Sequence, residues 1–503
     1  MAHSVNPFSA QFGHSFERKL LTALGYCAII VFLYMMPHRE SEAMQVHEAI
    51  VQALRAGTTW GRQAFIGSFA RPVLPSLALL CCTILSEVIG TNAAILMVSL
   101  SQGLALIFLC RALVKVRSWY LAPLPVALVL AIPTLRQAMM RLDPNWLTAL
   151  PVAAAAYFLV QWSRKHRLRD VMLVSLNLGL LAFCGVVPAI AGAIAVIVFY
   201  VQHRCWLKSQ NQSADGAGTI ILSTFLYCAF LWLLWNWLVM DNPFFPFHEL
   251  AEFPKSVTQA RVYAQFQARA EAIAACLFVL CPLVIVRNKS HFGGSAMTLV
   301  PLFVIPVLAV PVCFAGNIPL TGLVPMICAT LLAAFVVLLD ADFAKPVVYT
   351  AAYLAGAVCC VAIWIAPALT RRDSPRELRN GAPDPKEITE FIDQFWPDSR
   401  TMLYGVELPA LFPDPTEQRF VARVDYQEQD LLTQAHDEQM HLLVPPPTSG
   451  FYPKKGHPLA DIHANGRPWL LLEKTWPNGW QLYRLVQPPK NESRLDFLRQ
   501  LNP

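Results

Sequence analysis

The sequence predicts a polytopic α-helical membrane protein of about 11 to 13 membrane segments that ends in a small α/β domain. Three observations predict it. Hydrophobic residues fill 55% of the 503 positions and charged residues only 14%, whereas a soluble domain carries about 25% charged residues. Apolar runs approaching the length of a membrane-spanning helix recur as far as Ile365. From Thr370 onward the composition becomes that of a soluble domain. The net charge of +6 lies in short basic clusters between apolar runs, where it reports topology and not nucleic-acid binding.

Taken in order, residues 1–19 are polar, are expected in the cytoplasm, and show no cleavable signal peptide. The apolar runs are Leu20–Met36, Val73–Val88, Ala93–Leu113, Tyr120–Leu135, Trp146–Gln161, Val171–Val201, Thr219–Met240, Ala270–Val286, Ala296–Phe314, Ile318–Leu339 and Val347–Ile365. Val171–Val201 is long enough for two short spans, and reads as a hairpin turning near Gly185–Pro188. Basic clusters at Arg18–Lys19, Arg111–Arg117, Arg164–Arg169, His203–Lys208 and Arg287–Lys289 are expected inside. Two full crossings by Val73–Val88 and Ala93–Leu113 would put Arg111–Arg117 outside, so one of them is expected to be short, tilted or re-entrant. The organisation is then a transmembrane part, 20–368, and a soluble extracytoplasmic part, 369–503. The loop 38–72, the turn Arg141–Trp146 and the loop 241–269 share the outer face with that soluble part.

In the soluble part, "TMLYGVELPALF", "HLLVPPP" and "WQLYRLV" read as strands by their β-branched and aromatic content. "DPKEITEFIDQFW" and "QEQDLLTQAHDEQ" read as helices, with apolar residues three and four apart. "WPNGW" reads as a hairpin turn. The cysteines all lie at or before Cys360 without metal-ligand or disulfide spacing, and read as buried free thiols.

The first outer loop is unusually polar. Ala43, Val46, Ile50 and Leu54 recur at helical spacing from Glu42, which predicts an amphipathic helix at the membrane interface that stops at Ala56-Gly57. A second interfacial element is expected over Trp60–Phe69, and His47 and Glu48 are expected to face water. Glu40 and Glu42 stand where the first span leaves the bilayer, and Arg71 where the next enters it. An arginine at headgroup depth can pair bidentately with a lipid phosphate, and a carboxylate can orient an acceptor hydroxyl and take its proton. Each residue also has a plainer reading: helix N-terminal acids for Glu40 and Glu42, a snorkelling side chain for Arg71, and an N-cap for Asp143 before Pro144. The chain contains no GxGxxG, P-loop or GxSxG motif.

The stretches "EAMQVHEAIVQALRAGTTW", "FARPVLPSLALL" and "SEVIGTNAAILMVSL" resemble the first outer loop and following span of the GT-C superfamily of integral-membrane glycosyltransferases, in particular its aminoarabinose transferase and protein O-mannosyltransferase-like branch. "RLDPNWLTALPVAAAAYFLVQW" and "WNWLVMDNPFFPFHEL" resemble later outer-face motifs of that family. The resemblance implies a GT-C-like fold in a bacterial cytoplasmic membrane. It further implies a polyprenyl-phosphate sugar donor, and a lipid, glycan or protein acceptor. It assigns catalytic roles to Glu42 or Glu40 and to Asp143. It places Arg71 on the donor phosphate; Arg62 and His248 are further candidates for that phosphate, read from the outer loops and not from the resemblance. It requires no particular cofactor and leaves a divalent cation open. The departures are Glu42 where the family has aspartate, an acidic pair spread into Glu40-Ser41-Glu42, and Thr58-Thr59 in place of aspartate before Trp60. They keep open a non-catalytic scaffold subunit of an envelope polysaccharide or surface-assembly machine, or a transporter of lipid-linked substrates.

Overall fold

A computed structural model describes residues 22–66, 71–116, 139–165, 167–209, 216–245, 385–405, 418–422, 435–447, 462–467 and 469–486, with a few single residues between them. The runs expected over Ala270–Val286, Ala296–Phe314, Ile318–Leu339 and Val347–Ile365 lie outside the described residues, as do residues 1–19 and His248. The chain divides into two compact units. One holds residues 1–44, 77–230 and 269–369; the other holds 45–76, 231–268 and 370–503.

The described part of the first unit is mostly helical. Its elements are α1 (Thr22–Met35), the strand β1 (Arg39–Glu40), the start of α2 (Glu42–Arg55), most of α4 (Val73–Ile89) and α5 (Ala93–Val116). The strand β2 (Arg141–Leu142), a 3-10 turn (Pro144–Thr148), α6 (Ala149–Lys165), α7 (Leu168–Leu180), α8 (Val186–Ser209) and the first half of α9 (Ala217–Met240) follow. The run of small side chains Ala153–Ala156 is fully buried, and α6 packs against both α5 and α7. Small residues let helix backbones approach closely where no hydrophobic effect drives association. Ser175 of α7 donates to the carbonyls of Ile220 and Ile221 on α9, at 3.1 and 3.2 Å. The expected hairpin within Val171–Val201 is present, with α7 and α8 joined through Leu181–Phe183 and a positive φ at Gly185.

Two described helices, over Ala93–Ala112 and Ala217–Met240, are long and apolar enough to cross a membrane. At 17 residues α4 rises about 26 Å, short of the ~30 Å hydrocarbon core, so it is the shorter partner of the α4–α5 pair. Large apolar side chains line the outside of this unit. Val88 is 82% exposed and Met35 75%, and Ile84, Leu226, Tyr227 and Phe230 are exposed as well. Serines and Gln102 are buried instead. That inversion suits a hydrocarbon surround.

The second unit is built on a five-stranded sheet of order β4-β3-β5-β7-β6. Strands β3 (Thr401–Leu403), β4 (Phe420–Ala422) and β5 (His441–Val444) are parallel, and β6 (Leu470–Thr475) and β7 (Gln481–Leu485) add an antiparallel hairpin. "WPNGW" closes that hairpin, with Trp476 donating to the Trp480 carbonyl at 2.9 Å. Alternate residues face opposite sides, as a period of two requires. Leu403, Ala422, Leu443 and Leu482 join one core, while Met402, Val421, Leu442 and Tyr483 join the other.

The first core is covered by α10 (Pro385–Phe395) and by two helices within residues 42–66. Val46, Ile50 and Ala53 of α2 and Trp60 and Ala64 of α3 (Thr59–Ile66) are buried in it with Ile388, Ile392 and Trp480. The apolar stripe of α2 therefore meets a protein core, a burial the periodicity alone did not identify. The turn between α2 and α3 has a clear local cause. Gly57 takes φ +77° past the end of α2, and Thr58 Oγ1 donates to the Ala53 carbonyl (3.1 Å) while accepting from Gly61 N–H (3.0 Å). Thr58 thus caps α3 where the family resemblance expects aspartate.

Candidate active site

In the first unit a two-stranded ladder gathers the acid-bearing segments. β1 and β2 pair in parallel, with Arg39 beside Arg141 and Glu40 beside Leu142. Glu40 ends β1, Ser41 follows, and Glu42 opens α2; on the other strand Asp143 follows Leu142 directly. Backbone positions 40–42 and Asp143, far apart in the chain, are therefore neighbours. Ser41 ties them: its Oγ donates to the Leu142 carbonyl at 2.5 Å and accepts the Met44 N–H at 3.2 Å, capping α2.

Asp143 caps the 3-10 turn, with Pro144 in the first position where its missing N–H costs nothing. Its Oδ1 accepts from the Asn145 N–H at 2.9 Å and from Asn145 Nδ2 at 2.8 Å. Burial raises its pKa above the ordinary carboxylate value, against the opposing pull of the Asn145 bonds and of Arg141. The capping geometry is compatible with a chemical role. A carboxylate held in one orientation, with its basicity raised, is suited to accept a proton from a hydroxyl.

Arg71 lies in the second unit, just ahead of α4, and is only 8% exposed. His47 is 3% exposed on the inner side of α2, which corrects the expectation that it faces water. The reason is the polar partner: its Nδ1 meets Ser76 Oγ at 2.7 Å, in the first turn of α4. Burial, with the neighbouring Arg71 charge acting in the same direction, holds the His47 pKa down to about 4, so the ring is neutral at physiological pH. Arg62 is exposed on α3 and donates from Nη2 to the Gly57 carbonyl at 3.1 Å, closing the end of α2.

Among the described residues no group of three or more His, Cys, Asp or Glu side chains could hold a metal ion. The sequence reading did not single out Ser41, Ser76, Gln102 or Asn145. Gln102 alone carried a signal, an amide in the middle of a largely apolar helix.

A helical unit with an acid-bearing ladder, joined in one chain to a small mixed sheet, defines the layout. No family model matches the chain, and no curated protein matches it. Among solved structures it is similar to the crystal structure of ArnT from Cupriavidus metallidurans bound to undecaprenyl phosphate, with 12% identity and a TM-score of 0.45, over 93% of this chain and 98% of that one.

Proposed function

We propose that this chain is a membrane glycosyltransferase that moves a sugar from a polyprenyl-phosphate donor to an acceptor hydroxyl at the outer face of a bacterial cytoplasmic membrane. The observation that carries the reading is the β1–β2 ladder, which brings the Glu40–Glu42 segment beside Asp143. The outer-loop motifs and the apolar exterior of the helical unit support it. The acceptor oxygen attacks the anomeric carbon while a carboxylate takes its proton. The bond from that carbon to the donor phosphate oxygen breaks, and polyprenyl phosphate leaves with the electron pair. Glu42 or Glu40 and Asp143 orient and deprotonate the acceptor. Arg71, aided by Arg62 and His248, holds the phosphate and stabilises its charge as it departs. Lipid, glycan and protein acceptors all meet this chemistry.

The test is transfer from a panel of polyprenyl-phosphate sugars in nanodiscs, comparing the wild type with Glu42→Gln and Arg71→Ala. Release of polyprenyl phosphate should fall about 100-fold or more in Glu42→Gln. In Arg71→Ala the donor KM should rise about tenfold to a hundredfold, the size of a lost charge-assisted bond. Donor binding without turnover across all acceptor classes would favour the scaffold reading, and no binding at all would end the transferase reading.

A further inference from the structure

We infer that Gln102 and Ser41 are positioning residues that lock the register of the β1–β2 ladder and so hold the loop acids beside Asp143. What those acids do rests on the transferase reading; the clamp itself does not. Each strand is only two residues long, and so short a pair has few ladder bonds with which to resist a slip. One of its two pairs sets Arg39 beside Arg141, and like charges on neighbouring strands work against pairing. The register needs support from outside the ladder.

Two side-chain bonds bracket it. At the far end Ser41 Oγ donates to the Leu142 carbonyl. At the near end Gln102, 1% exposed on α5, donates from Nε2 to the Met139 carbonyl at 3.0 Å. The next carbonyl, that of Met140, accepts the Arg39 N–H at 2.9 Å, so Gln102 grips the chain immediately before the first ladder bond. An amide inside an apolar helix is costly unless it is bonded, and Gln102 Oε1 has no hydrogen-bond partner among the described residues. Among the described residues, then, the hydrogen bond that this side chain makes serves the ladder. Ser41, which spreads the acidic pair apart in sequence, acquires a role by the same argument. A slip of one residue moves a strand by about 3.3 Å and exchanges its faces, whereas about 1 Å of misplacement already costs of the order of 100-fold in rate.

The experiment uses the full chain in nanodiscs with Gln102→Leu, Gln102→Glu and Ser41→Ala, read by hydrogen exchange at the Arg39 amide and by sugar transfer. Gln102→Leu should speed Arg39 exchange about tenfold and lower kcat about 100-fold with the donor KM little changed. Gln102→Glu can donate to the Met139 carbonyl only while its carboxyl is neutral. Measured against the wild type at the same pH, it should keep protection and turnover at low pH and lose both as pH rises. A purely structural glutamine would lower Tm, with a pH dependence in Gln102→Glu that any buried carboxyl brings, while kcat at each pH stays at the wild-type value, and such a result overturns the inference. So does unchanged Arg39 exchange in both Gln102→Leu and Ser41→Ala, whatever the activity. A wild type that transfers nothing across the donor panel ends the transferase reading, and Arg39 exchange then decides the clamp alone.

Discussion

Replacing Asp143 separates its capping role from the proposed role as base, because asparagine can perform the first and not the second. Its Oδ1 accepts two bonds from Asn145, and an asparagine oxygen at the same place accepts them too. Asparagine and aspartate are equivalent N-caps, and burial already disfavours the charge. Asp143→Asn should therefore leave stability within about 0.5 kcal/mol of the wild type. Asp143→Ala loses the cap, about 1 kcal/mol, and strands a buried amide donor at a further 1–3 kcal/mol or so. Transfer should fall about 10²- to 10⁴-fold in both, the contribution of a positioned general base. Initial rates and thermal unfolding on the same preparations read the two effects. The pH dependence adds a sign. A raised folded pKa favours the protonated folded state, so this group's contribution to stability is full below the unfolded pKa and is lost as pH rises through the folded one. The rate runs the other way, falling on acidification with a midpoint above that of an ordinary carboxylate. Asp143→Asn that transfers within about threefold of the wild type, with the acid limb unmoved, would refute the assignment of Asp143 as a base.

Two further predictions concern the second unit. The His47 pKa is lowered from 6.5 to about 4, so its contribution to stability is present above pH 6.5 and is lost as pH falls toward 4, by at most about 3 kcal/mol. His47→Asn should flatten that part of the stability profile in urea titrations at stepped pH, while the matching loss from His441, also lowered to about 4, persists. A Cβ on Gly61 would stand 2.4 Å from the Ala53 carbonyl carbon, so Gly61→Ala must push α2 and α3 apart and should cost about 1–3 kcal/mol. An unchanged denaturation midpoint would show that the close approach of the two helices can relax.

The parts legible in the sequence were those written in local patterns. Apolar runs located the described helices of the first unit, the Asn-Gly pair located the β6–β7 hairpin, Gly57 located the end of α2, and Asp143 before Pro144 marked its turn. The β1–β2 ladder was not legible, since two-residue strands have no period and their partner lies a hundred positions away in parallel register. Strand β4, three residues like β3, was missed because it lacks the longer β-branched and aromatic run in which β3 lies. The side of α2 on which His47 lies was misjudged, because a polar residue on an amphipathic helix reads as solvent-facing unless its partner is known. That partner, Ser76, belongs to another helix. The family motifs pointed to the acids without showing what holds them.

The amphipathic stripe of α2 raises a physical question that membrane adsorption and protein burial answer differently. A helix of 14 residues is marginal on its own in water, so α2 needs a surface against which to fold. The sheet unit supplies one. Ile50 is fully buried in the same core as Ile388, Ile392 and Trp480, and Trp60 of the next helix lies in it too. Truncating Ile50 to alanine should therefore cost about 2–5 kcal/mol, the price of a cavity in a packed core. If lipid were the partner instead, the loss would follow the transferred area alone, about 1.5–3 kcal/mol at most, and would vanish when the bilayer is exchanged for a polar amphipol. Denaturation followed by tryptophan fluorescence in nanodiscs and in amphipol distinguishes the two. A loss that is equally large in both places Ile50 in a protein core, and it means that the helix opening with Glu42 is ordered by residues more than three hundred positions away.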